Sequence, residues 1–395
     1  MFIYVLLILF CFYPYEFYST YLFFIPDQAT YFSAALIALT GVVILIGKKS
    51  NYSQTIVNVA IMQLIGFVMI GLVQGGLGSV SNSFVRMVLA LLLVMLIENS
   101  SGGLLGFFKK YNRWILVMAI LGSIAWGLAT FAGFQPLGLF IERAGGLIMY
   151  NYGLTFTKSD MTYTGMIRYA GFFDEPGAMA YWGMYALLIN KMFIKERRLE
   201  LFLIICLLFT FSLGFYFQLL VYLILFSFGK SRKSTWLVWA VVGILAVITI
   251  GSLTQDSVIF EKSFGRISDT YSESQETGSI FMTGNRAEYT ENAKRQFLEN
   301  PIFGTKSDEL AIGNNIYENL ARYGIWGCFF ILFPYLYIFI LSIKNRDWEL
   351  LKCGIVILLG FSHRPFHNAL LYYFIIYSII AMYMASRRKV LQPTH

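Results

Sequence analysis

Apolar residues run through this chain in long blocks, each broken by only a few polar positions, with neither the period of two of a half-buried strand nor the period of 3.6 of a surface helix. A helix needs about 20 residues to cross the hydrocarbon of a bilayer. Read against that length, the blocks predict twelve spans, at about 2–25, 29–47, 53–73, 83–98, 113–134, 174–194, 199–213, 214–229, 235–253, 315–342, 350–362 and 367–386. The first block, from Met1 to Phe12, lacks a basic leader and a cleavage site, so it reads as a retained span. Thirty apolar residues from 199 to 229 fit one tilted helix or two short ones, and Gly214, after Thr210 and Ser212, offers a place to turn.

Basic residues decide that point and the orientation. Lys48 and Lys49 follow the second span, Lys109, Lys110 and Arg113 the fourth, and Lys195, Arg197 and Arg198 the sixth. Lys230, Arg232 and Lys233 follow the eighth, Lys344 and Arg346 the tenth, and Arg387, Arg388 and Lys389 the last. Positive charge gathers on the cytoplasmic side of membrane proteins. The alternation therefore requires two spans between 199 and 229 and puts both termini in the cytoplasm. The expected architecture is an all-α polytopic membrane protein with about twelve transmembrane helices in a single integral domain, 1–395, and two large extracytoplasmic loops, at about 135–173 and 254–314. In the second loop, Arg286 to Glu299 places Tyr289, Ala293 and Phe297 at four-residue spacing, which predicts a helix that Asn300-Pro301 would stop.

Composition agrees with the class. Hydrophobic residues make up 57% of the 395 and charged residues only 13%, too few to cover a soluble chain of this length. The net charge of +8 is explained by the clusters between spans, so no nucleic-acid partner is expected. Cys11, Cys206, Cys328 and Cys353 all fall in apolar runs without metal-ligand spacing. No GxxxxGK[ST], HExxH, CxxC or GxSxG pattern occurs, so ATP hydrolysis, a conventional zinc site and an esterase elbow are not expected, and no cofactor is called for.

The remaining chemistry gathers toward the outer side. Arg86 begins the fourth span, and Arg168, Asp174 and Glu175 lead into the sixth. Gln218 lies near the outer turn of the eighth, and Arg286 opens the loop helix. Asn314, Asn315, Asn319 and Arg322 run into the tenth, where positions 315, 319 and 322 share a helical face. His363, Arg364 and His367 form the tight turn between the last two spans. Arginine on the outer side opposes the positive-inside tendency, is costly near lipid and suits an anion, whose oxygens a guanidinium grips in pairs. The anchored anion on that side would be a lipid phosphate or pyrophosphate. Bland roles compete: Arg322 has Glu318 at i−4, Arg86 can extend to the interface, and Asp174 and Glu175 precede Pro176 at a helix start. His363 and His367 fit the interface equally well. Arg168 and Arg286 have no local acid at helical spacing.

Four segments resemble the O-antigen polymerase family, within the wider O-antigen polymerase and ligase superfamily. Arg168-Tyr-Ala-Gly-Phe-Phe-Asp-Glu-Pro-Gly-Ala resembles the Arg-x-x-Gly-x-Phe-x-x-Pro segment of the polymerases, and Thr210-Phe-Ser-Leu-Gly resembles their Thr-x-Ser-Arg-Gly turn. Gly284-Asn-Arg286 with Asn300-Pro-Ile-Phe-Gly304 resembles the loop that polymerases and ligases share. Asn314-Asn-Ile-Tyr-Glu-Asn-Leu-Ala-Arg-Tyr-Gly-Ile-Trp-Gly327 resembles the start of their following span. The four occur in the family's order over about 165–330. Leu213 replaces the usual arginine of the turn, and Asn314 stands where ligases rely on a histidine, which weakens the ligase alternative.

The resemblance implies a GT-C-like membrane glycosyltransferase in the bacterial inner membrane that polymerises oligosaccharide repeat units on undecaprenyl pyrophosphate at the outer face. Donor and acceptor would both be carrier-linked glycans, with a chain-length regulator and a flippase as further partners beside the membrane lipids. In that reading Arg168, Arg286 and Arg322 hold the pyrophosphate leaving group, and Asp174, Glu175 or His367 orients or deprotonates the acceptor hydroxyl. Arg86, Asn315, His363 and Arg364 complete the substrate contacts. A ligase and a lipid-linked oligosaccharide transporter are the alternatives.

Overall fold

A computed structural model describes residues 54–75, 78–143, 147–152, 155–159, 167–171, 173, 175–227, 285–305, 316–363 and 370–391. The expected spans at 2–25, 29–47 and 235–253 lie outside them. The described chain is mostly helical: α1 Gln54–Val73, α2 Gly78–Glu98, α3 Gly103–Phe131, α4 Pro176–Ile189, α5 Arg197–Leu208, α6 Leu213–Ser227, α7 Asn285–Glu299, α8 Ile316–Ile331, α9 Phe333–Lys344, α10 Trp348–His363 and α11 Leu370–Leu391. A π-helical turn, Asn190–Ile194, extends α4. By length and composition, four stretches among the described residues are able to cross a membrane: Gln54–Val73, Gly103–Ala129, Tyr317–Lys344 and Leu370–Arg388.

The segment between α3 and α4 holds what the apolar pattern did not predict. Gly138–Arg143 (β1), Leu147–Asn151 (β2), Phe156–Ser159 (β3) and Ile167–Gly171 (β4) form an antiparallel sheet in the order β1-β2-β3-β4. The strands are short and their alternation is broken by bulges at Phe140/Glu142 and Phe156/Thr157, so no clean period of two is written in the sequence. The register sets Lys158 directly opposite Arg168.

Contacts divide the chain into two compact units, one of Met1–Asn112, Leu188–Lys195 and Tyr289–His395, the other of Arg113–Leu187 and Glu196–Glu288. In the described part of the first, α11 packs along α2, α1 packs on α2, α8 and α9, and α9 packs on α10. Tyr372 through Tyr377 of α11 are fully buried, whereas α1 turns Ile61, Ile65 and Leu72 outward, as expected of a central and a lipid-facing helix. Small residues let α1 and α8 approach: a Cβ on Gly66 would run into Phe330, and one on Gly327 would lie 2.7 Å from the Ile70 Cδ1. Buried Gln63 of α1 donates to the Ile331 carbonyl (2.8 Å) and accepts from the Tyr377 hydroxyl. That carbonyl needs a donor because the Tyr335 N–H turns to Leu332 instead (2.9 Å), just beyond Pro334.

In the second unit, α5 and α6 form a helical hairpin, so 199–229 is two short helices and not one long one. The reversal falls at Phe209–Ser212, before Gly214, which lies inside α6. The Tyr222 hydroxyl returns to the Glu200 carboxylate at 2.6 Å, fixing the two helices side by side. A Cβ on Gly122 of α3 would overlap the Tyr169 ring, and that ring's hydroxyl donates to the Cys206 carbonyl (2.6 Å), so strand β4 is seated on α3 and α5.

Candidate functional site

Among the described residues, each unit holds a segment that interrupts apolar helix and exposes backbone groups that apolar surroundings cannot satisfy. In the second unit the interruption is the Phe209–Ser212 turn. Phe209, Thr210 and Phe211 donate back to Cys206, Leu207 and Leu208 (3.1, 3.1 and 3.2 Å), and the Thr210 and Tyr216 hydroxyls add bonds to Leu207 and Leu208 (both 2.7 Å). Phe211 sits at φ +49°, a left-handed conformation unusual for an aromatic residue. That twist turns the next carbonyls toward strand β4, where Arg168 meets them: Nε donates to Thr210 O (3.2 Å) and Nη2 to Phe211 O (2.9 Å). Trp126 of α3 closes the other side, with its ring 4.9 Å from that of Phe209 and 5.5 Å from that of Phe211. A cation at the carboxyl end of α5 is also favoured by the helix dipole. Arg168 therefore braces the turn while keeping its charge there.

In the first unit the interruption is Gly324, at φ 63° and ψ −177° inside α8. Such a break normally strands the carbonyls of residues 321 and 322 and the N–H groups of 325 and 326. Each finds a substitute. Thr305 N–H donates to Ala321 O (2.7 Å), and the Gln74 amide donates to Arg322 O (2.7 Å) and also to Phe303 O (3.1 Å). Ile325 and Trp326 N–H donate to the carbonyls of Pro301 (2.8 Å) and Ile302 (3.0 Å). The segment Asn300–Thr305 thus replaces the missing helical bonds. It fits only because Gly304 and Gly324 carry no side chains: a Cβ on Gly304 would sit 2.5 Å from the Arg322 carbonyl, and one on Gly324 would overlap Ile302 O. Upstream, α7 seats Ala293 on Ala321, with Phe297 and Tyr317 packed around them, the face that the four-residue spacing predicted. It ends at Glu299.

Beside this bend lies a cleft of about 640 Å³, at the end of α1 and along Asn300–Thr305. Val73, Pro301, Ile302 and Phe303 give it apolar walls, while Gln74 and Thr305 bring polar groups. The Gln74 Oε1 and Thr305 Oγ1 atoms are buried and lack hydrogen-bond partners. Among the described residues lining it, Glu299 alone carries a charge.

The anticipated residues divide as follows. Arg322, half-buried, pairs with Glu318 at 3.2 Å, the local pairing its spacing offered. Asn319, on the same face, is buried with its Nδ2 lacking a partner. Arg86 is exposed on α2, within electrostatic range of the Tyr373 phenol of α11. Glu175 is half-buried and its carbonyl accepts from Ala178 and Met179 (3.0 and 3.2 Å), so it starts α4 as the preceding-proline argument expects. Arg286 falls in the first turn of α7 and His363 ends α10, with the side chains of both outside the described set. Asp174, Asn315, Arg364 and His367 lie outside the described residues.

Two residues escaped the sequence reading. Gln74 drew no attention in the sequence, and only the fold gives its amide two carbonyls from far along the chain. Lys158 sat in a loop with no visible period, and only the strand register brings it to Arg168. Outside the spans, burial and then the neighbouring Tyr150 push the Tyr152 hydroxyl above its ordinary pKa. No cluster of three or more metal-ligating side chains occurs among the described residues. Compared with protein-family models and with curated proteins, the chain matches none of them.

Proposed function

We propose that this membrane protein is a GT-C-like glycosyltransferase that joins undecaprenyl-pyrophosphate-linked oligosaccharide repeat units at the outer face of the bacterial inner membrane. The observation that carries the reading is the pairing of the four resembling segments. The Arg168 segment closes on the Thr210 turn, and the Asn300–Gly304 segment closes on the Gly324 bend. Each pairing joins, within one unit, two of the segments that carry the resemblance, about 40 residues apart in one case and about 20 in the other. In this reading the growing chain is the donor: the acceptor hydroxyl attacks its anomeric carbon, the bond to pyrophosphate breaks, and the lipid pyrophosphate leaves with the bonding electrons.

Charge supports the assignment of Arg168 to that leaving group. The Arg168 guanidinium, held on the Thr210 and Phe211 carbonyls at the carboxyl end of α5, keeps a positive charge there that suits such an anion. Arg286 and Arg322 remain the further cations, Glu175, Asp174 and His367 the candidates for handling the hydroxyl proton, and Arg86, Asn315, His363 and Arg364 the further substrate contacts. The bend in α8 gives less support to a transporter. Transporters aim the N–H groups of broken helices at anions, whereas here the Ile325 and Trp326 N–H groups already donate to Pro301 and Ile302.

The test is complementation of a strain deleted for this chain. Wild type is expected to restore surface polymer, and Arg286→Ala and Arg168→Ala to leave single capped repeat units. Polymer of unchanged length and amount in both variants overturns the residue assignment. Unattached carrier-linked polymer in the deletion strain identifies a ligase instead.

A further inference from the structure

Two of the stretches able to cross a membrane, Tyr317–Lys344 and Leu370–Arg388, stop at the same place in the first unit. Arg387, near the end of α11, donates to the Asn345 carbonyl (3.1 Å) and lies 3.6 Å from the Asp347 carboxylate, which fastens that end to the turn between α9 and α10. Backbone bonds close the turn itself, from Asn345 to Leu341 (3.0 Å), Arg346 to Ile343 (3.1 Å) and Asp347 to Ser342 (2.8 Å). Asp347 also accepts from the Leu350 N–H at the start of α10 (3.1 Å). The junction therefore has a fixed shape, and it lies where two apolar stretches give way to polar chain, the level of lipid headgroups.

Charge at the junction is unbalanced. Its two carboxylates are engaged, Asp347 with Arg387 and Glu349 with Lys352 (3.2 Å). Lys344, Arg346 and Arg388 are exposed and form no ion pair with an acid among the described residues. Beside them Ile343 and Trp348 are each 70% exposed, and Ile340, three residues back on the same side of α9, is exposed as well. Cations above a strip of outward apolar residues match a molecule with an anionic head and an apolar tail, and tryptophan favours that boundary. A soluble acidic partner would satisfy the cations and leave Ile340 and Ile343 uncovered. We propose that this junction is a binding site for an anionic phospholipid, with its phosphate among Lys344, Arg346 and Arg388 and its chains along Ile340 and Ile343. A guanidinium grips phosphate oxygens in pairs. The turn is already ordered, so binding carries little ordering cost on the protein side. The site goes beyond the polymerase reading and does not rest on it.

The experiment titrates full-length protein in detergent micelles with phosphatidylglycerol, or with phosphatidylcholine of the same acyl chains, and counts bound lipid by native mass spectrometry. Wild type is expected to prefer phosphatidylglycerol by about tenfold or more. Arg346→Gln/Arg388→Gln should weaken phosphatidylglycerol binding about tenfold or more, and either single change about fivefold, the weight of one cation at an anionic surface. Phosphatidylcholine binding should stay as in wild type. Arg197→Gln/Arg198→Gln removes the same charge from α5, where Glu196 and Glu200 accompany the arginines, and should leave the preference intact. Thermal melting checks each fold, and the single changes decide the matter if the double variant is unstable. Glycerophosphoglycerol, the headgroup without its chains, should not displace the lipid at equal concentration. The site is overturned if wild type binds the two lipids alike, if folded variants keep the wild-type preference, or if the α5 control loses as much. Displacement by the free headgroup overturns it too, and assigns the junction to a soluble anionic partner.

Discussion

The turn at Phe209–Ser212 and the bend at Gly324 solve one physical problem with opposite chemistry. Both leave carbonyls unpaired in apolar surroundings. At the bend, every donor is neutral: the backbone N–H of Thr305 and the amide of Gln74. At the turn, a guanidinium serves Thr210 and Phe211. A neutral clamp fixes geometry and nothing more. A charged clamp fixes geometry and also leaves a positive field at that point, which becomes useful only if an anion arrives. Under the proposed function the bend is scaffold and the turn is chemistry, and substitutions can break or sharpen that contrast.

The largest effect is expected at Gly324. Gly324→Ala combines a positive φ with overlap on Ile302 O, and should cost about 3 kcal/mol or more, read as loss of the folded fraction in detergent melting. Gly106→Ala, where nothing lies within 4 Å of the added carbon, is the control and should melt at or above wild type. If Gly324→Ala melts as wild type does, the bend is not held as described. Next comes Arg168. Arg168→Ala should cost about 1.5–3 kcal/mol, the range for hydrogen bonds to a charged group, and abolish polymer. Arg168→Lys is the sharper test, because it keeps the charge and loses the fork. Partial polymer with lowered melting supports a joint role in brace and field, while full polymer with lowered melting reduces Arg168 to scaffold.

Gln74→Leu should follow, at about 1–3 kcal/mol for carbonyls of Phe303 and Arg322 left without their donor. Its polymer should fall in proportion to folded protein, as a scaffold role requires. A specific activity below that of wild type at equal folded protein would instead place the bend in the chemistry. The smallest effect is expected for the Arg322–Glu318 pair, where a double-mutant cycle in melting should give coupling of about 1 kcal/mol for an i,i+4 pair with side chains 21% and 13% exposed. Coupling that appears in polymer formation but not in melting would promote Arg322 to the site.

Much of this architecture was legible in the chain. The helical class, the split of 199–229 and the helix from 286 to 299 follow from local causes: hydrophobic length, charge alternation and a four-residue face closed by Asn300-Pro301. Those signals act between residues near in sequence, so they can be read in order. The sheet of the first loop was not legible, because short bulged strands carry no period and their pairing is settled across the loop. For the same reason Lys158 went unremarked until register placed it opposite Arg168.

By itself, then, the sequence determined a mostly helical chain with stretches long and apolar enough to cross a membrane. Only the tertiary structure decided what its polar residues do. Hydrogen bonds between positions such as Gln74 and Arg322 are made after loop closure, and no local pattern encodes them. The partner of a polar group in an apolar environment is chosen by what the fold brings within about 3 Å, and that is a property of the packed chain.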